Sequence, residues 1–336
     1  MSMTLKKAYI TAVGIYLPDK ILTNLDLEKL VDTSDEWIIS RTGMKERHIA
    51  KSDEYTSDMG VKAARVALER AGMKADEIDL IIVATLSPDY SFPSTACLIQ
   101  AGLKASKACA FDIQAACTGM IYALAVAKSF IESGMYKNIL IVASEKLSSI
   151  TDYEDRNTCI LFGDGAAACV VTGNGSGLEI GNVSLGADGE QSELLVLPAG
   201  GCRNPATHET VEKRLHYLKM DGKEIFKHAV RRMESSAIEC IHQSGLKESD
   251  ITYLVPHQAN ARIIDAIAKR CKIDDKRVVK VVELYGNTSA SSIGLALEKL
   301  VVENRIKDKD NLLLVAFGAG LTWGSLILTA RGDFTI

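Results

Sequence analysis

The sequence predicts an α/β fold built from two similar halves, on three observations. Short, wholly apolar runs of strand length alternate with longer helical stretches. The apolar run at 138–144 (NILIVAS) has a counterpart at 311–317 (NLLLVAF). Each half also places a motif of small and polar residues ahead of a helical stretch, AACTGM at 115–120 and YGNTSASS at 285–292.

Taken in order, Thr33 and Glu36 form a capping box for a short helix, which sets Trp37 and Arg41 one turn apart on the same face. The run from Ile78 to Thr85 reads as a strand covered on both faces, because it is continuously apolar rather than alternating. Thr118 to Ser133 reads as a helix stopped by Gly134. Its first half, Gly-Met-Ile-Tyr-Ala-Leu-Ala-Val, is apolar all round, as a helix at a domain centre must be. Asn138 to Ser144 is a second buried strand. The linker-like segment Gly173 to Gly177 (GNGSG) falls near the midpoint and sets the halves at 1–175 and 176–336. In the second half, Ile251 to Pro256 is a strand and Ala259 to Cys271 a helix with Ile263, Ile264 and Ile267 at helical spacing. Ile293 to Val302 is a further helix, and Asn311 to Phe317 the later strand.

Composition narrows the function classes. A chain of 336 residues with 47% hydrophobic content can fill two compact cores. Its eight cysteines form no C-x-x-C pair, and the opening MSMTLKKAYI has no long apolar stretch, so a reduced, cytoplasmic setting is expected. No apolar run is long enough to span a bilayer, which argues against a membrane partner. A net charge of −4 argues against nucleic acid.

Three residues carry the candidate chemistry. A cysteine reacts as its thiolate, and a position at a helix start lowers its pKa through the dipole and the free N–H groups; Cys117 has that position. His257, after Pro256, stands at a strand end, where side chains of α/β folds project into a crevice. The other five histidines read as structural. Asn287, in Gly-Asn-Thr-Ser, reads as a turn residue and equally as an amide donor that stays neutral at all pH, and the two roles are compatible. A nucleophile with two neutral hydrogen-bonding side chains suggests thioester chemistry.

The chain resembles the β-ketoacyl-[acyl carrier protein] synthase III family nearly end to end. The resemblance runs through VGIYLPDKILTN, DTSDEWIISRTGMKERHI, FPSTACLIQ, DIQAACTGM, ILFGDGAAA, VPHQANARI, YGNTSASS and FGAGLTWG, in matching order and spacing. It implies a thiolase-like fold, with two pseudo-repeated βαβ-rich halves packing central helices between sheets, and a homodimer. It also implies a Cys-His-Asn triad of Cys117, His257 and Asn287, acyl-CoA and malonyl-acyl carrier protein as substrates, and no cofactor or metal. The oxyanion donors would be the N–H groups of Cys117 and Ala319. Many relatives have glycine at 319, and alanine tolerates positive φ less well.

By the same resemblance, adenine would lie between Trp37 and Arg156, with Arg41 near the nucleotide phosphate and Asn260 near the pantetheine. Phe317 would line the acyl pocket, and Phe92 would reach it across the dimer. The helix carrying Arg262, Lys269 and Arg270 suggests a dock for an acidic carrier protein, extended by Arg214 and Lys219; a solvated helix face is the alternative. A related acyltransferase, or a priming synthase of secondary metabolism, is the runner-up. Type III polyketide synthases lack the DTSDEWIISRTG and FGDGAA wording, and this motif set does not display the glutamate general acid of 3-hydroxy-3-methylglutaryl-CoA synthases.

Overall fold

The structure, a computed structural model, describes residues 6–332 and 334, with the exception of 174. The first five residues of the opening segment, and Asn174 of the linker-like segment, therefore lie outside the described residues. The main strands are β1 (Tyr9–Tyr16), β2 (Leu80–Ala84), β3 (Cys109–Ile113), β4 (Asn138–Glu145), β5 (Gly165–Thr172), β6 (Gly177–Ala187), β7 (Tyr253–Pro256), β8 (Asn311–Gly318) and β9 (Thr322–Arg331). The longer helices are α1 (Asp35–Thr42), α2 (Thr56–Arg70), α3 (Thr95–Leu103), α4 (Gly119–Ser133), α5 (Gly222–Gln243), α6 (Ala261–Arg270) and α7 (Ser292–Val302).

The strands form one nine-stranded sheet in the order β7-β8-β9-β6-β1-β5-β4-β2-β3. The internal repeat is visible in the pairing. In the first half β1, β5 and β4 are antiparallel neighbours and β2 runs parallel to β4. In the second half β6, β9 and β8 repeat the antiparallel run and β7 runs parallel to β8. The two halves of the sheet bury their faces against shared central helices, as the resemblance implies. They join where β1 meets β6, through Tyr9↔Glu179 and Ile10↔Leu178.

Hydrophobic burial explains the layers. α4 and α7 share one core with strands of both halves, through Met120, Ile121 and Leu124 on α4 and Ile293, Leu297 and Leu300 on α7. α2 and α3 cover the outer face of the first half, and α5 and α6 that of the second. A helix apolar on all sides can only be satisfied in such a central layer, so the composition of α4 dictates its place. Gly134 ends it with a left-handed φ of 74°. Helix α1 starts one residue later than the capping-box reading: Ser34, not Thr33, is the N-cap and accepts the Trp37 N–H. Thr33 Oγ1 is buried without a partner.

Candidate active site

Loops at the ends of β4, β7 and β8 and at the starts of α4 and α7 surround a cavity of about 880 Å³. Cys117, His257, Asn287, Phe317, Ala319, Arg41, Asn260 and Arg262 all line it. The two halves thus bring together residues far apart in the chain.

Cys117 sits in a single turn, Ala116–Thr118, immediately before α4. Ala116 holds a left-handed φ of 46°, a conformation that persists in a non-glycine residue only where surrounding packing imposes it. Gly318 lies against this turn so closely that a Cβ there would fall 2.8 Å from the Cys117 nitrogen. Thr322 fastens the two segments, donating to the carbonyl of Ala115 at 3.0 Å or of Ala319 at 3.1 Å. The expected concern at Ala319 does not arise: the positive φ of this loop, 130°, falls on Gly320, and Ala319 is not among the residues with positive φ.

Burial opposes ionisation of the thiol in the resting chain. Burial pushes Cys117 up to about 12, outweighing the Ser289 hydroxyl that lowers it, while the nearby Glu145 raises it further. Burial therefore works against the acidity expected of a helix start.

His257 follows β7 and is 2% exposed. Its N–H donates to the Val315 carbonyl at 2.8 Å, and its Nδ1 lies 2.7 Å from Ser292 Oγ at the start of α7. Burial lowers its pKa to about 3, so the imidazole is neutral. The adjacent Gln258 fixes the turn, with its Nε2 donating to the Pro256 and Val279 carbonyls and its Oε1 accepting from the N–H groups of Val281 and Val282.

Asn287 serves the turn through one end of its amide only. Its Oδ1 accepts the Ser289 N–H at 2.9 Å, which leaves Nδ2 as the donor end. Gly286, with φ 64°, precedes it where a Cβ would meet the Leu161 carbonyl at 2.9 Å, so the close backbone approach requires glycine.

Trp37 and Arg156 are not among the cavity-lining residues; the Arg156 guanidinium lies 5.0 Å from the Trp37 ring centroid, and that of Arg41 5.8 Å. The Trp37–Arg156 slot is therefore filled by their own contact. Asn260 caps α6 by accepting the Ile263 N–H at 3.0 Å. Phe92 does not line the cavity of its own chain and is 86% exposed.

The basic patch is smaller than expected. Arg270 is paired with Glu234, and Arg214 and Lys219 both engage Asp152, which spends their charge locally. Arg262 stands over the Phe226 ring at 5.4 Å at the cavity wall, and Lys269 is exposed but away from the cavity. Sequence reasoning missed Ser292, Gln258, Ser289 and Glu145. The serines lie inside the YGNTSASS motif, Gln258 lies inside VPHQAN, and Glu145 is the one charge closing the apolar strand β4, so a signal existed for each.

Two pseudo-repeated halves around buried helices, with cysteine, histidine and asparagine meeting at their ends, define the thiolase-like class of fold. Residues 111–189 match the family model described as 3-oxoacyl-[acyl-carrier-protein (ACP)] synthase III, and residues 241–330 its C-terminal model. The β-ketoacyl-[acyl-carrier-protein] synthase III of Chlamydia caviae is 58% identical over 325 residues, covering 96% of this chain and 97% of that protein. That of Caldanaerobacter subterraneus is 53% identical over 321 residues, covering 96% and 97%. The crystal structure of the Aquifex aeolicus 3-oxoacyl-[acyl-carrier-protein] synthase III superposes with a TM-score of 0.89 at 48% identity, covering 96% and 99%. The chain belongs to the β-ketoacyl-[acyl-carrier-protein] synthase III family, the condensing enzymes that initiate fatty acid synthesis. Among the described residues no helix is long and apolar enough to cross a membrane.

Proposed function

We propose that Cys117 takes an acyl group from acyl-CoA and that His257 and Asn287 then serve the decarboxylative condensation with malonyl-acyl carrier protein. The observation that carries this reading is the meeting of a buried thiol, a neutral imidazole and a free amide donor on one cavity wall. The thiolate attacks the thioester carbonyl, CoA leaves, and an acyl-enzyme remains. Loss of CO₂ from the malonyl group leaves an enolate, and two neutral donors suit an oxyanion that must go on to react, because neither can quench it by full proton transfer. With the Gln258 N–H donating to Ser292 Oγ at 3.3 Å, the Ser292 hydroxyl proton is free for His257 Nδ1, which leaves the ring proton on Nε2 as a donor. The N–H groups of Cys117 and Ala319 would hold the second oxyanion. This chemistry calls for no metal or redox cofactor, because the thioesters supply the activation.

Arg41 and Asn260, on the cavity wall, would meet the CoA phosphate and pantetheine, and the Trp37–Arg156 contact would open to admit adenine. Phe317 and apolar neighbours such as Leu86, Leu161, Leu218 and Ile225 would line the acyl pocket. The carrier protein would approach over Arg262 and Lys269. A cytoplasmic homodimer is the assembly this reading implies. Intact-mass measurement after incubation with acyl-CoAs of different length and branching tests it: one acyl group per chain, mapped to Cys117, is expected, and no adduct with any of them would overturn it.

A second reading rests on the priming β-ketosynthase from the R1128 polyketide pathway, which superposes with a TM-score of 0.90 at 35% identity and covers 98% of this chain. Preference for a primer other than acetyl-CoA in the same measurement would favour it.

A further inference from the structure

We propose that the proton of the Cys117 thiol leaves through the Ser289 hydroxyl to the Glu145 carboxylate, which keeps it for as long as the acyl-enzyme exists. This rests on the reading of Cys117 as the nucleophile. Glu145 is the last residue of β4, is completely buried, and takes no part in the chemistry described above. Its carboxylate accepts from Ser87 Oγ at 2.6 Å, from Thr85 Oγ1 and the Leu86 N–H at 3.1 Å, and from the Ser87 N–H at 3.2 Å. These are neutral donors. A buried carboxylate without a cation is expensive to keep as an ion, so it takes up a proton readily, and burial raises Glu145 to about 7.

Ser289 lies on the turn where the elements of both groups meet. Its turn packs against both the Cys117 turn and β4, and its own φ of 50° is held in the left-handed region. The hydroxyl is close enough to lower the pKa of Cys117 and of Glu145 alike, yet Oγ has no hydrogen bond of good geometry in the resting chain. A buried hydroxyl with no partner of its own is free to turn, and a relay requires it to accept from the thiol while donating to the carboxylate.

The neighbouring titratable groups offer no better acceptor. The His257 ring is depressed to about 3 by burial. Lys146, next in sequence to Glu145, turns its ammonium to the carbonyls of Lys51 and Glu54. Asp164, just before β5, accepts from Ser148 and from the Ala50 N–H.

The step balances without a further reactant. Ser289 Oγ takes the Sγ proton as its own passes to a Glu145 oxygen, and the thiolate attacks the acyl-CoA carbonyl. The carbon–sulfur bond to CoA breaks, and CoA leaves as a thiolate that takes a proton from water. In the second half-reaction the enolate attacks the acyl-enzyme, the bond to Cys117 breaks, and its thiolate recovers the proton from Glu145 through Ser289.

Single-turnover acylation by acetyl-CoA, followed by intact mass across pH 5.5–9.5, tests the route, with malonyl-acyl carrier protein decarboxylation measured beside it. Ser289→Ala should slow acylation at neutral pH on the order of a hundredfold, as loss of a positioned proton acceptor does, and move the rising limb of the pH profile upward. Decarboxylation should fall far less. Glu145→Gln should act in the same direction, and if it does not fold, Ser289→Ala decides alone. An unchanged profile in Ser289→Ala, or equal loss of both half-reactions with a lowered melting temperature, would overturn the route. Cys117→Ala run in parallel separates the two claims: label persisting there removes the nucleophile reading, whereas label lost there beside an unchanged Ser289→Ala profile removes only the relay.

Discussion

At the scale of single residues, the site combines groups whose charge is withheld. Cys117 rests as a thiol and His257 as a neutral imidazole, both because burial penalises the ion. Cys117→Ala should abolish acyl labelling and condensation; peptide mapping that still finds covalent acyl group on the mutant would remove the assignment. Asn287→Ala should reduce malonyl decarboxylation on the order of a hundredfold, the usual cost of one oxyanion donor, while leaving measurable acyl transfer to Cys117. Decarboxylation at the unmutated rate would leave Asn287 as a turn residue only. The His257 shift also fixes a pH dependence of stability. Its folded pKa of about 3 lies below the ordinary 6.5, so between those values the unfolded chain binds a proton that the native chain does not. Stability contributed by the neutral ring is therefore present above 6.5 and declines as pH falls toward 3. Denaturant titrations of the wild type and His257→Gln should diverge at neutral pH and converge through that window.

At the scale of elements, legibility in the sequence followed burial. α4 and β4 were readable because a layer covered on both faces must be apolar throughout, and both lie where that pattern put them. The positions of Cys117, His257 and Asn287 at element ends were readable for the same reason, since the elements themselves were. What the sequence could not show is which charges find partners across the fold. Arg270 and Glu234 sit on different helices, and Asp152 gathers Arg214 and Lys219 from a distant segment, so a basic patch counted along the chain shrinks once the chain is folded. Nor could it show desolvation, which opposes the ionisation of Cys117. The reduced patch makes a sharper prediction for α6. Lys269→Glu should raise the apparent KM for malonyl-acyl carrier protein and flatten its dependence on ionic strength, since such contacts are screened over about 10 Å at 0.1 M salt. Acetylation by acetyl-CoA should be unaffected, because Lys269 is not on the cavity wall. Equal losses with both substrates would point to a structural role for Lys269, and an unchanged KM to a solvated helix face.

At the scale of the whole molecule, the sheet ends on an edge that no other described strand pairs with. β3 pairs only with β2, so its other side offers unpaired backbone groups. Around it the surface is aromatic: Phe92 is 86% exposed, Tyr90 60% and Phe111 36%. Natural sheets protect a free edge with charge, proline or a covering element, and a free edge flanked by exposed rings can be covered by a second copy. A twofold copy pairing β3 with β3 would extend the sheet and cover those rings, and it would let Phe92 reach the cavity of the neighbouring subunit. Light scattering should then give twice the 36.4 kDa of one chain. Ala110→Pro, which removes a donor from the edge strand, should weaken the dimer at least tenfold, read from the concentration dependence of the mass. Phe92→Ala separates pairing from pocket lining: it should leave the mass doubled while shifting acyl-CoA preference toward longer chains. A monomeric wild type at micromolar concentration would refute the edge pairing, and an unaltered chain-length profile in Phe92→Ala would confine that residue to the interface.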